Sequence, residues 1–207
     1  MPLRIDLAAP RVDLAPLVAS LAAGACAVIP TDTVYGLVCD AAQPAATARL
    51  SALKGRDPSQ PSTVMFAGGG AESLLDPLDP VLATQARALI GRGATVLLPN
   101  PEGRFLHLCG DTPGRIGVRV SAFPPALADA IAEIGAIVAT SANLHGAADP
   151  CTLDEVPPAL AGACAVLVDG GPAAGGRAST VLDLCAPRPV ILREGALATV
   201  DALALIA

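Results

Sequence analysis

The only lysine of the chain, Lys54, is followed by Gly55 and Arg56. Two cations of different shape thus stand two residues apart. An ammonium acts as a compact point charge, whereas a guanidinium offers a planar fork of donors, and together they suit a polyphosphate or a carboxylate. A lone lysine at a predicted helix end is explained as well by attraction to the helix dipole. That this is the single lysine, with an arginine beside it, favours a binding role.

Four further polar clusters fall where predicted strands begin or end, which is where open α/β sheets form ligand crevices. Pro30-Thr31-Asp32-Thr33-Val34-Tyr35-Gly36-Leu37 reads as a polar turn after a buried strand and contains the sole tyrosine, Tyr35. A Ser/Thr or Asx turn that merely ends the strand would look the same. In Arg115-Ile116-Gly117-Val118-Arg119-Val120, strand alternation puts Arg115, Gly117 and Arg119 on one face, which calls for an anion or marks a solvent-facing edge strand. Ala139-Thr140-Ser141-Ala142-Asn143 supplies hydroxyls and an amide after another strand. Ser179-Thr180 and Arg193 fall at opposite ends of a possible adjacent strand pair.

No Ser/His/Asp or Cys/His set accompanies these clusters, since His107 and His145 fall in loops beside no evident nucleophile. His107-Leu108-Cys109 offers two metal ligands without a third and fourth at zinc spacing. There is no Walker-type loop, and Gly170-Gly171-Pro172-Ala173-Ala174-Gly175-Gly176 lacks a following helix and lysine. The inventory is cations, hydroxyls and amides. Such a set catalyses by positioning and charge stabilisation rather than through a protein nucleophile.

The elements that must position these groups alternate along the chain. Asp13 caps a predicted helix with apolar residues at Leu14, Leu17, Val18 and Leu21, Gly24 stops it, and Ala25–Ile29 reads as a buried strand. Helices are predicted over Pro44–Leu53, Pro80–Ile90, Pro124–Ile134 and Leu153–Ala161, with Thr199 capping a short last one. Strands are predicted over Thr63–Phe66, Thr95–Leu98, Ile116–Val120, Ala136–Ala139, Ala165–Val168, Thr180–Leu184 and Val190–Leu192. No repeat or linker interrupts the series, so a single α/β domain with a mixed sheet is expected over residues 1–207.

Composition narrows the function classes. Of 207 residues, 53% are hydrophobic and 15% charged, with one Tyr, three Phe and no Trp, so the core is packed from Ala, Val, Leu and Ile. The net charge of −6 and a pI near 4.7 argue against a broad phosphate-binding surface, although a local cationic pocket remains open. The six cysteines form no C-x-x-C pair and fit buried free thiols in a reducing cytoplasm. The uncharged run from Leu14 to Thr31 contains Pro16, Gly24 and Pro30, which fits a helix plus a buried strand better than a membrane span or signal peptide. A cytoplasmic protein is expected.

The clusters Pro30–Leu37, Lys54-Gly55-Arg56, Gly117-Val118-Arg119-Val120, Ser141-Ala142-Asn143, Ser179-Thr180-Val181 and Leu192-Arg193-Glu194-Gly195 resemble the YrdC/Sua5 family in order and approximate spacing. The resemblance runs from about the first strand to the last. It implies an open, twisted α/β sheet with flanking helices and a large cleft, and a threonylcarbamoyl-AMP synthase that uses L-threonine, bicarbonate and ATP and releases pyrophosphate. The product would feed N6-threonylcarbamoyladenosine at position 37 of tRNA through downstream transfer proteins, with tRNA contacted indirectly. By position, Thr33, Arg56, Arg119 and Ser179 would hold threonine, with Tyr35 close by. Lys54, Arg115, Ser141, Asn143 and Arg193 would hold ATP, with Thr63 between the two sets, and Mg²⁺ would arrive on the phosphates. The catalytic work would rest on Lys54 and Arg56.

The sequence departs from the family pattern where Asp57 precedes Pro58, where Ser62 stands before Thr63, where Ser121 follows Arg119-Val120, and at His145. These departures leave room for a paralogue that adenylates another carbamate or carbamoyl group. An RNA-binding module is the rival of another class, and the acidic composition with few aromatics opposes it.

Overall fold

The computed structural model describes residues 1–57, 59–144 and 146–207. Among them, ten strands form one open sheet. In chain order these are β1 (Leu3–Asp6), β2 (Ala27–Pro30), β3 (Tyr35–Asp40), β4 (Thr63–Ala67), β5 (Ala94–Pro99), β6 (Arg115–Ser121), β7 (Ile137–Ser141), β8 (Val166–Asp169), β9 (Thr180–Asp183) and β10 (Val190–Arg193). Across the sheet they run β1-β8-β2-β3-β7-β4-β6-β5-β9-β10. Parallel pairs (β1 with β8, β4 with β6) occur beside antiparallel ones (β3 with β7, β5 with β6), so the sheet is mixed as expected.

The helices are α1 (Ala15–Ala22), α2 (Pro44–Lys54), α3 (Glu72–Leu75), α4 (Pro80–Leu89), α5 (Pro125–Ile134), α6 (Pro158–Gly162) and α7 (Thr199–Ala204). Their ends follow local chemistry. Asp79 caps α4 by accepting from the backbone of Val81 and Leu82, with Pro80 in the first turn. Gly55 ends α2 at φ 61°, and the Gly55 and Arg56 amides close on Ala52 and Ser51 carbonyls.

One sheet face packs against α1 and α5, where Leu17, Leu21, Leu127 and Ile131 meet Val38, Met65 and Ile137. The other carries the larger core, including Leu37, Val64, Val96, Val118 and Val138 beneath Leu50 of α2 and Leu89 of α4. Register decides what the first face shows beyond its helices. Gly36 lies opposite Ser141, Ala139 opposite Val38 and Thr63, Thr63 opposite Gly117, and Met65 opposite Arg119. Directly opposed residues share a face. On this face Gly36, Met65, Ala139 and Arg119 reach past the helices and line a cleft.

Several expectations change in the structure. Tyr35-Gly36-Leu37 is not a turn but the start of β3, a wholly buried interior strand. The predicted helix over Leu153–Ala161 divides into a 3₁₀ turn at Leu153–Glu155 and α6, because Pro157 and Pro158 lack the amides a continuous helix needs. Thr199 is the first residue of α7 rather than its cap, and its hydroxyl donates to Glu194. β1 and the segment Gly68–Leu75 form regular structure where the sequence leads one to expect none.

Candidate active site

Two adjoining pockets occupy the cleft. The inner one, about 110 Å³, is lined by Thr33, Thr95, Arg119 and Ser179 over a floor of Gly36, Met65 and Ala139. The outer one, about 290 Å³, is lined by Lys54, Arg56, Gln60, Asn143, Asp149 and Gly146. Thr140, Ser141 and Arg193 line both. The two spaces are thus halves of one cleft, one small and hydroxyl-rich, the other larger and cationic.

In the inner half Arg119, 5% exposed, is held by Asp32 Oδ1 at 2.6 Å and Thr33 Oγ1 at 2.8 Å, both accepting from Nη2. Its Nε is buried without a hydrogen-bond partner. An unpaired donor at that depth is costly unless a ligand supplies the acceptor. Asp32 also accepts from Ser121 Oγ at 2.6 Å. Thr31 organises the turn that carries these residues, its hydroxyl donating to Val34 O and lying 3.1 Å from Thr33 Oγ1. Across the pocket, Ser179 Oγ and Thr95 Oγ1 stand 2.8 Å apart, and Arg193 Nη2 donates to Ser179 O at 2.8 Å. Antiparallel pairing of β9 with β10 is what brings Ser179 and Arg193 together.

In the outer half the Lys54 ammonium donates to Ser141 O at 2.8 Å, Asn143 Oδ1 at 2.7 Å and Asn143 O. Burial, reinforced by the nearby Arg56 charge, lowers its pKa to about 8. Arg56 donates to Pro61 O at 3.1 Å, and burial lowers its pKa too. Every cation of this half therefore leans on neutral carbonyl oxygens. None of them is paired with a carboxylate among the described residues; the guanidinium groups keep further N–H donors for an anion, whereas Lys54 has placed all three on oxygens and would act through its charge or by exchanging one of them.

The cleft brings together Thr33, Lys54, Arg56, Arg119, Ser141, Asn143, Ser179 and Arg193. It does not bring Tyr35 or Arg115. Tyr35 precedes Gly36 on β3 and so points to the opposite face, where its hydroxyl donates to Gly171 O at 2.7 Å and accepts from Gly170 N. Arg115 is drawn to Asp183, with Nη1 2.8 Å from Oδ2, and lines neither pocket. Because β6 lies inside the sheet, its arginines do not mark an edge. Thr63 is half-buried beside Gly117 and Ala139 in the sheet, not among the lining residues. Of the departures from the family pattern, Asp57 is exposed and caps the Ser59 amide, Ser62 is buried and donates its amide to Leu108 O, and neither reaches the cleft. Pro58 and His145 lie outside the described residues.

The structure adds Thr95, Met65 and Asp149 to the site. Thr95 and Met65 sit in apolar strand segments and carry no motif, so only strand register reveals them.

A family model described as "Telomere recombination", covering Sua5, YciO and YrdC proteins, matches residues 19–195. The chain belongs to the Sua5/YciO/YrdC family. Among Sua5/YciO/YrdC relatives, the chain is 31% identical over 185 residues to a "Putative threonylcarbamoyl-AMP synthase" of Mycobacterium tuberculosis, covering 88% of this chain and 83% of that one. It is 34% identical over 167 residues to the "Threonylcarbamoyl-AMP synthase" of Alkalilimnicola ehrlichii, covering 77% and 83% respectively. The solved Pyrococcus abyssi Sua5, complexed with L-threonine, superposes with a TM-score of 0.80 at 26% identity; the match covers 94% of this chain and 57% of that chain. Escherichia coli YciO gives a TM-score of 0.80 at 24% identity over 98% of both chains, a likeness of fold. Among the described residues, no helix is long and apolar enough to cross a membrane.

Proposed function

We propose that the protein is a threonylcarbamoyl-AMP synthase, forming L-threonylcarbamoyladenylate and pyrophosphate from L-threonine, bicarbonate and ATP. The observation that carries this reading is Arg119: a buried guanidinium with an unpaired Nε, set in a small pocket of hydroxyls that opens onto a cationic one. A threonine carboxylate would supply the missing acceptor, and Thr33, Thr95 and Ser179 would meet the amine and hydroxyl. The names of the curated relatives and the threonine-bound Sua5 support it.

The chemistry suits a site without a nucleophile. The threonine amine adds to bicarbonate and loses water to give a carbamate, and a carbamate oxygen attacks the α-phosphorus with pyrophosphate leaving. Lys54, Arg56 and Arg193 would hold the phosphates in line and offset charge on the leaving pyrophosphate. The outer pocket, with three cations and the single carboxylate of Asp149, suits a Mg²⁺ that enters on the triphosphate and helps neutralise it. The adenylate would then pass to proteins that modify tRNA.

ATP–pyrophosphate exchange measured with and without L-threonine and bicarbonate tests the reading. Exchange that requires both supports it. Exchange with only another amino acid or carbamoyl compound would assign the chain to a paralogous activity instead.

A further inference from the structure

We infer that Asp149 is a positioning residue for Lys54, acting through the side-chain amide of Asn143. This rests on the reading of the outer pocket as the nucleotide site.

A carboxylate is out of place in a pocket built for polyphosphate, where it repels the ligand. Asp149 is half-buried on the wall of that pocket, on a segment pinned to β3 by the Tyr35 amide, which donates to Pro150 O at 2.8 Å. Its Oδ1 accepts from Asn143 Nδ2 at 3.1 Å, and the same Nδ2 donates to Ala147 O at 2.7 Å. On the other side of the amide, Asn143 Oδ1 accepts from Lys54 Nζ and Ser141 Oγ, each at 2.7 Å. An amide is nearly symmetric in shape, so its partners choose its orientation. Rotated by half a turn, Asn143 would set an NH₂ against the ammonium and an oxygen against the carboxylate. Asp149 therefore helps hold the oxygen toward Lys54.

The second effect is through space. Lys54 is faced by Arg56 and Arg193, both cations, and by Asp149, the one carboxylate lining this pocket among the described residues. Arg56 favours the neutral amine and Asp149 favours the ammonium. Asp149 thus offsets part of what burial and Arg56 do to the ammonium, and through Asn143 helps to hold it in place.

The test is direct ATP binding by the full chain, without turnover, from about pH 7.5 upward, where phosphate protons are already lost. The wild-type chain should lose affinity as Lys54 deprotonates near about pH 8. In Asp149→Asn, which keeps an acceptor but not the charge, this loss should move to lower pH by roughly half a unit or more. Asp149→Ala should move it at least as far, Asp149→Glu should bring it back toward wild type, and Lys54→Met should abolish the pH dependence. An unmoved or upward-moved limb in Asp149→Asn, or affinity lowered equally at every pH, would overturn the inference and leave the nucleotide reading intact. Failure of the wild-type chain to bind ATP at all would overturn both.

Discussion

Ser121 and Arg119 meet on one oxygen: Asp32 Oδ1 accepts from Ser121 Oγ at 2.6 Å and from Arg119 Nη2 at 2.6 Å. The Ser121 hydroxyl thus braces the carboxylate that holds Arg119. A buried ion pair loses most when one partner is removed, since the other charge is left uncompensated. Arg119→Ala should therefore cost about 3 kcal/mol of stability and abolish threonine-dependent exchange. Adding Asp32→Ala should recover part of the melting temperature without restoring activity. Ser121→Ala should cost about 1 kcal/mol and raise the threonine KM a few-fold. Thermal unfolding together with exchange kinetics of Arg119→Ala, the Arg119→Ala/Asp32→Ala pair and Ser121→Ala checks all three, and an Arg119→Ala chain as stable as wild type would refute the bracing account.

The pH response follows from Lys54. Its cation is present below about pH 8 and lost above it, so the ATP KM should climb as pH rises through that value. Stability moves the other way. With the folded pKa below the ordinary value of 10.5, the unfolded chain binds this proton more tightly, and the cost of burying the ammonium is relieved between pH 8 and 10.5. Steady-state kinetics and denaturant titrations across this range separate the two. An ATP KM that stays flat to pH 9.5 would count against Lys54 as the phosphate cation.

Thiol chemistry gives an independent check on the core. All six cysteines are free, and Cys26, Cys39, Cys109 and Cys164 are buried. Burial pushes Cys39 and Cys164 up to about 12 and Cys185 up to about 11. Since the thiolate is the reactive form, iodoacetamide at pH 8 should label Cys151 first, Cys185 slowly and the buried four only after unfolding. Peptide mass spectrometry over time reads the order. Early labelling of Cys39 would mean that β3 is not held as described.

The loop that delivers Ser179 has a tight seat. A Cβ on Gly175 would lie 2.7 Å from Thr33 Cα and 2.8 Å from Asp32 O, and neither backbone atom can step aside. Gly175→Ala should displace the loop from the threonine pocket, costing about 1–2 kcal/mol and raising the threonine KM more than the ATP KM. Equal effects on both constants would place the loop elsewhere in the mechanism.

Much of this architecture is legible in the sequence where a local signal exists. Lys54-Gly55-Arg56 declares a helix end with two cations, and β6 shows the alternation that sets Arg119 toward the cleft. β3 is less legible because it is buried on both faces and lacks alternation, and a Thr-Asp-Thr turn leads into it. β1 is an edge strand with only Ile5 buried, too little for a pattern. Arg115 misleads for a different reason: its face is right, but Asp183, distant in sequence, claims its charge. Tyr35 misleads because it is the chain's one tyrosine and yet faces away, whereas Gly36 beside it faces the site. Asp149 has no motif at all, since its significance comes only through its hydrogen bond to Asn143.

Thr140, Ser141 and Arg193 form a wall common to both pockets. On the proposed reading two separate substrates would each touch one side of it, whereas the joined product would touch both, and tethering would make its second contact intramolecular, with an effective concentration of order millimolar. The adenylate should therefore leave far more slowly than either precursor, and its labile anhydride would spend its life shielded from water. A rapid burst of pyrophosphate equal to the enzyme concentration, followed by slow steady release, would reveal this retention. A linear time course from the first turnover would exclude it. On this geometry the chain is built to keep what it makes until something comes to collect it.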